Sequence, residues 1–241
     1  LLCVWYLISD FWYLMSDVRC LMSEDKISWP VSSFNPFSSL NFALIKKRTV
    51  MASLILTPEN QIQRLNGILA QVEELKEFDP TRLTKAPDPK SWNVLEVLEH
   101  LSISYSLYVP KIEEALSKSP VLTEAPSGFK ARRVQKIVIE GQRPKDGKRK
   151  WKIKTLKRFE PMLGESDMTP EKIESLFVRF FELHDHLKKS ILESRSKDVT
   201  QITFSSAIGN IVRFYLPESF EFLICHMERH RVQIDEILGK L

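Results

Sequence analysis

The feature that most restricts this chain is the apolar spacing of residues 217–241. Phe220, Leu223, Met227, Ile234, Ile237 and Leu241 recur at intervals of three and four, with one gap at position 230. That spacing is the seam of a helix packed in a bundle. Pro217 suits a first helical turn, where a missing N–H costs nothing, and Glu218 suits the positive end of the helix dipole. His230 fills the gap in the seam, and His226 lies one turn earlier beside it. Residues four apart share a helix face, so both imidazoles point toward one small volume, and Gln233 shares that face. Two histidines on one helix make an incomplete metal site. A catalytic site needs three protein ligands and an open position, so a third ligand must come from another segment. Buried, hydrogen-bonded histidines are the alternative.

The rest of the chain favours more helices. Thr57-Pro58-Glu59 and Thr169-Pro170-Glu171 are two copies of one helix start: a capping hydroxyl, a proline at the first position, an acid at the dipole's positive end. The first helix is expected to carry its period on Ile62, Leu65, Leu69, Val72 and Leu75 and to run to about Phe78, where Asp79-Pro80 stops it. Residues 80–90 read as a proline-containing connection. A second helix is expected over 91–118, capped by Ser91 and kinked at Pro110. His100 borders an apolar face of this helix. Glu96, one turn before it, is either a partner for an imidazole N–H or a solvated surface acid. The third helix runs from Thr169 to about Ser194, with Leu176, Phe177, Phe180, Phe181, Leu187 and Ile191 on its apolar side. His184 joins that side, either as a core-edge histidine or as a ligand or substrate-facing group, and His186 points away. Residues 195–216 form a connection with a few extended residues. Only seven glycines occur in 241 residues, which agrees with long helices and few tight turns.

Three segments stand apart. Residues 1–50 begin with an apolar stretch broken by Asp10, too short to span a membrane and without a basic leader, and continue as a Ser, Pro and Phe mixture with no period. The expectation is that Met51 is the initiator, that 1–50 is upstream sequence or disordered, and that 51–241 is the folded domain. A membrane-associating leader is the alternative. Residues 119–165 are strongly basic: between Lys130 and Arg158 there are thirteen Lys or Arg against Glu140 and Asp146, while the whole chain carries only +4. This segment is either a flap for an anion or a solvated crossover whose charge offsets acids elsewhere. Residues 134–139 fit a short strand or a helix end, and Asp146-Gly147 signals a turn. The cysteines are Cys3, Cys20 and Cys225, an odd count with no CxxC pair, so disulfides are not expected and a cytoplasmic, reducing location is. Cys225 reads as a packed small residue rather than a nucleophile.

Two motifs together resemble a known family. The second helix carries W-N-V-L-E-V-L-E-H-L and the last carries H-M-E-R-H-R-V-Q-I, with K-I-K-T-L-K-R-F-E-P between them in the crossover. In spacing and order these resemble the DinB-like superfamily, particularly its bacterial DinB-related proteins, over about residues 54–241. The resemblance implies an all-α four-helix bundle with a long crossover, here basic, between helices two and three. It implies a divalent metal held by His100, His226 and His230, with zinc or nickel expected first and iron or manganese next. Members of the family include thiol transferases using bacillithiol or mycothiol, an isomerase and metal-dependent hydrolases, and they are often dimers. The function implied is a metal-dependent enzyme that activates a water or a thiol, of the S-transferase or hydrolase type. The alternative is a stress-response or binding protein with a structural or vestigial metal. The implied partners are a small-molecule substrate, with a low-molecular-weight thiol among the candidates, and a second copy of the chain. Neither nucleic acid nor stable membrane insertion is expected.

Overall fold

The computed structural model describes residues 52–241 apart from 125, 150–153 and 165–167. The expectations for 1–50 and for Met51 lie outside the described residues. Residues 53–241 form one compact unit. Four long helical segments make its bundle: α1 (Pro58–Glu73); α3 (Val94–Ser106) continued by α4 (Val109–Lys118); α6 (Pro170–Ser194); and α7 (Leu216–Leu238). A short α2 (Pro80–Thr84) precedes α3, and α5 (Arg133–Gln142) lies in the crossover. Two antiparallel pairs of strands complete the unit, β1 (Ile55–Leu56) with β2 (Phe129–Lys130), and β3 (Phe204–Ser206) with β4 (Gly209–Phe214). The chain is therefore a four-helix bundle with a long crossover between its second and third helices. α1 and α3 each pack against both α6 and α7.

Local chemistry sets the helix ends. The Thr57 hydroxyl accepts from the Asn60 N–H and the Thr169 hydroxyl from the Lys172 N–H, each at 3.3 Å, with a proline in the first turn of both helices. α3 starts three residues later than expected, because Asn93 and not Ser91 is the cap. Asn93 Oδ1 accepts from the Glu96 N–H at 2.9 Å while the Glu96 carboxylate accepts from the Asn93 N–H at 2.7 Å. This reciprocal box satisfies two orphan donors, and it occupies Glu96, which is neither a partner of His100 nor simply a solvated acid. Pro110 does more than kink the second helix. α3 ends at Ser106, the chain turns at Leu107 and Tyr108, and α4 begins with Pro110 in its first turn. A proline deeper in one continuous helix would lose an i−4 hydrogen bond and clash with a carbonyl. Asp79-Pro80 likewise stops one helix and starts the next, since Asp79 Oδ1 caps α2 at the Thr81 N–H and the connection buries Leu83.

The buried faces differ from the expected ones in detail. On α1 the inward residues are Gln61, Leu65, Ile68 and Val72, one step off the Ile62–Leu69 series. On α6 the inward row is Ile173, Phe177, Phe180, His184, Leu187 and Ile191, so His184 occupies a seam position and not an edge. On α7 the expected seam is buried except Leu241, which lies beyond the helix end at Gly239. The N-terminal half of α7 is buried on every side, Leu216 through Cys225 without a break. The reason is α5, which packs along the face of α7 that the rest of the bundle leaves uncovered.

The crossover is fastened to α7 by charge. Glu218 is fully buried, and Arg132 meets it with Nη2 at 2.6 Å and Nε at 3.1 Å. Glu221, 2% exposed, accepts from Arg143 Nη2 at 2.6 Å and from Arg64 Nη1 of α1 at 2.5 Å. Further along, Arg149 pairs with Glu236. Three arginines of the basic segment therefore offset three acids of one helix. Residues 134–139 belong to α5 and are helical. The Asp146-Gly147 turn is two-residue, with φ of 52° and 69° and paired hydrogen bonds between Lys145 and Lys148. Positive φ at both central positions is why aspartate and glycine stand there. Among the described residues no helix is long and apolar enough to cross a membrane.

Candidate metal centre

Two helices bring His100, His226 and His230 together. His100 projects from the middle of α3; the other two project from α7, one turn apart, where the sequence places them on one face. Nε2 of His226 lies 3.0 Å from Nε2 of His230 and 3.4 Å from Nε2 of His100. One nitrogen of each ring falls within 4.8 Å of the others. An ion held at roughly 2.0–2.1 Å by imidazoles at near-tetrahedral angles separates neighbouring nitrogens by about 3.3 Å. The spacings of 3.0 and 3.4 Å bracket that value.

The outer nitrogens decide which lone pairs face inward. His100 Nδ1 donates to the Phe159 carbonyl at 2.7 Å, and His230 Nδ1 donates to Gln233 Oε1 at 3.0 Å. Each donation leaves its Nε2 bare and directed at the centre, the arrangement by which an outer partner orients a metal-ligating histidine. The Phe159 carbonyl comes from the crossover, which is also held beside the site by the Met162 N–H donating to Glu99 at 2.8 Å. Trp92 packs its ring 5.0 Å from that of His100.

The electrostatics keep the rings neutral. Burial pulls the His100 imidazolium below its ordinary range. Burial does the same more strongly for His226 and His230, reinforced by their neighbouring imidazoles and by Arg229. Neutral imidazole is the form that ligates a metal. Three bare nitrogens in such a space cannot all be satisfied by one another, since at most one N–H can be shared among them. A divalent ion accepts all three lone pairs, so the donor set fits one. Among the described residues no carboxylate, cysteine or fourth histidine joins the cluster.

The other candidates fall elsewhere. Cys225 is a buried free cysteine whose thiol burial and Glu221 push up to about 12, with Arg64 Nη2 3.4 Å from its sulfur. It stays a thiol and packs, as expected from the sequence. His184 is 1% exposed, and its Nδ1 donates to the Phe180 carbonyl at 2.6 Å. His186 points away from the cluster but is engaged: Nδ1 meets the Tyr105 hydroxyl at 2.8 Å and Nε2 meets Glu113 at 3.2 Å. Sequence reasoning missed the Phe159 carbonyl, which no side-chain pattern can signal. It read Trp92 as an apolar-face residue of the second helix, eight positions before His100, and not as a ring packed on that histidine. Gln233 was legible because it shares the helix face of His230.

Fold and site define a four-helix bundle with a convergent three-histidine cluster able to hold a metal ion. That is the architecture implied by the DinB-like motifs. No protein-family model matches the chain, and no curated protein matches it. Among solved structures it is similar to YfiT from Bacillus subtilis, described as a probable metal-dependent hydrolase with an unusual four-helix bundle topology. The two share 15% identity over 87% of this chain and 94% of that one, with a TM-score of 0.45. At that identity and score the likeness says nothing of this chain's chemistry, which rests on its own side chains.

Proposed function

We propose that the protein is a divalent-metal-dependent enzyme of the hydrolase or thiol S-transferase type, with His100, His226 and His230 as the metal ligands. The observation that carries this reading is the convergence of three neutral imidazoles at 3.0 and 3.4 Å, two with their outer nitrogens committed elsewhere. A bound ion of this class polarises a substrate oxygen and brings a bound water or thiol to its nucleophilic form near neutral pH. The chain's own part is to orient the three rings and to fix the tautomer of two of them. His100 is fixed by the Phe159 carbonyl and His230 by Gln233. The apolar side chains of α3 and α7 that surround the rings keep bulk solvent from most of the cluster, which strengthens the electrostatic interactions at the centre. His226 is half-buried, whereas His100 and His230 are buried. Three protein ligands leave a coordination position for a small-molecule substrate or a low-molecular-weight thiol. Zinc or nickel suits three imidazoles best, and iron or manganese follows.

The test begins with elemental analysis of untagged protein, followed by zinc and nickel titrations of the chelator-stripped chain. Alanine at any one of His100, His226 or His230 is expected to abolish stoichiometric binding, while His186→Ala retains it. Equal metal content in all four variants would remove the triad reading. Metal-loaded protein is then offered activated esters and amides, and separately electrophiles with bacillithiol or mycothiol. Turnover in one set and not the other separates hydrolase from transferase.

A further inference from the structure

Beside His226, side chains of α3, α6 and α7 line a small, partly open cavity of about 10 Å³. Ser104, Tyr105, His184 and His226 line it, and leucine and methionine side chains complete it. Ser104 and His184 are 5% and 1% exposed. The His184 Nδ1–H is spent on the Phe180 carbonyl, so its Nε2 is a bare acceptor. Ser104 Oγ and His226 Nδ1 have no hydrogen-bond partner among the described residues. Two of the three ligand histidines have an outer partner in protein; His226 alone does not. A buried water needs roughly 10–15 Å³ and two to four polar neighbours. The cavity offers one such volume and three such groups.

We propose that this cavity binds a single water through which His184 and Ser104 position the His226 imidazole. Both residues act through His226 and not on substrate. With the Nε2 lone pair of His226 turned to an ion, its Nδ1 carries the proton and donates to the water oxygen. The two water hydrogens then go to His184 Nε2 and Ser104 Oγ, and the His226 N–H and both acceptors are satisfied. Without an ion, Nε2 of His226 faces two imidazole nitrogens whose protons sit on their outer sides. The favoured tautomer of His226 then carries its proton on Nε2, and the water turns to donate to Nδ1. A carbonyl such as that of Phe159 accepts only, and so locks one tautomer. A water serves both. His226 is therefore the ligand whose tautomer changes on loading, and the water site lets it change without leaving a buried polar atom unpaired.

The consequence for metal affinity rests on the proposed metal reading of the triad; the existence of the water site does not. A crystal structure of the metal-free chain at high resolution is expected to show one ordered water within hydrogen-bond distance of His184 Nε2, Ser104 Oγ and His226 Nδ1. Chelator competition is expected to show zinc binding weakened roughly 10–100-fold in His184→Phe, which keeps the ring and removes the acceptor, and in Ser104→Val, which fills the cavity. His184→Gln, which keeps an acceptor, recovers part of the loss. Imidazole nitrogen NMR of the folded protein reports the His226 proton on Nε2 without zinc and on Nδ1 with it. Absence of the water in the wild-type crystal overturns the proposal, as does wild-type zinc affinity in both folded variants. If the wild-type chain binds no zinc, the metal reading fails instead. The water site is then judged by the crystal structure alone, where a water bonded to all three groups upholds it.

Discussion

His184 sets a measurable pH dependence of stability. Its ring is 1% exposed, tilted against Phe180 at 4.0 Å and stacked on Tyr105 at 5.6 Å. Burial lowers its pKa from 6.5 to about 4. A depressed histidine pKa means that the unfolded chain takes up a proton at a pH where the folded chain does not. The stability held by neutral His184 is thus present above pH 6.5 and is lost as pH falls from 6.5 toward 4. Integrated between pH 7 and pH 5, this shift costs about 2 kcal/mol. That window lies above most carboxylate titrations, so few other groups interfere. The ligand histidines titrate in the same direction, which is why the comparison must be a difference. Urea unfolding of chelator-treated wild type and His184→Phe at pH 7, 6 and 5 isolates it. Phenylalanine fills the same slot between two aromatic rings without a titrating group. The variant is expected to lose about 2 kcal/mol less than wild type between pH 7 and 5. Parallel pH profiles for the two proteins would refute the assignment of His184 as a buried neutral histidine.

The arginine clamp predicts an effect at constant pH. Glu221→Ala removes the carboxylate that Arg64 and Arg143 share, while Arg64 keeps Glu228 and Arg143 keeps Glu140, and is expected to cost about 1.5–3 kcal/mol in chemical denaturation. Arg143→Ala is expected to cost less, because Arg64 still neutralises Glu221; equal losses would show that the two arginines do not share the acid. Asn93→Ala removes the cap of α3 and the bond from its amide to the Thr84 carbonyl, and is expected to cost about 1–2 kcal/mol in thermal or urea unfolding. Ser91→Ala, at the cap position expected from the sequence, is expected to change stability by less than half of that in the same assay, and a loss equal to that of Asn93→Ala would contradict the observed cap.

Much of this protein follows from local rules. The Thr-Pro-Glu starts, the 3–4 spacing of α6 and α7 and the scarcity of glycine determine four helical segments, because caps, dipoles and apolar periodicity act within a few residues. The shared face of His226, His230 and Gln233 is local for the same reason: one turn of helix sets it. Other features are decided only by tertiary structure. Nothing within α3 turns His100 toward α7; that follows from which faces pack, a non-local balance of buried area. The Phe159 carbonyl reaches His100 across 59 positions of sequence, and a backbone group carries no side-chain signature. The basic segment reads from composition as either an anion flap or a solvated loop. Folding resolves three of its arginines into clamps, because the acids they meet lie on α7, far along the chain, two of them buried under α5. His184 looks like an edge residue when α6 is drawn as a lone wheel. It becomes a core residue because α3 and α7 close over that face, and burial by neighbouring elements is a property no single element contains.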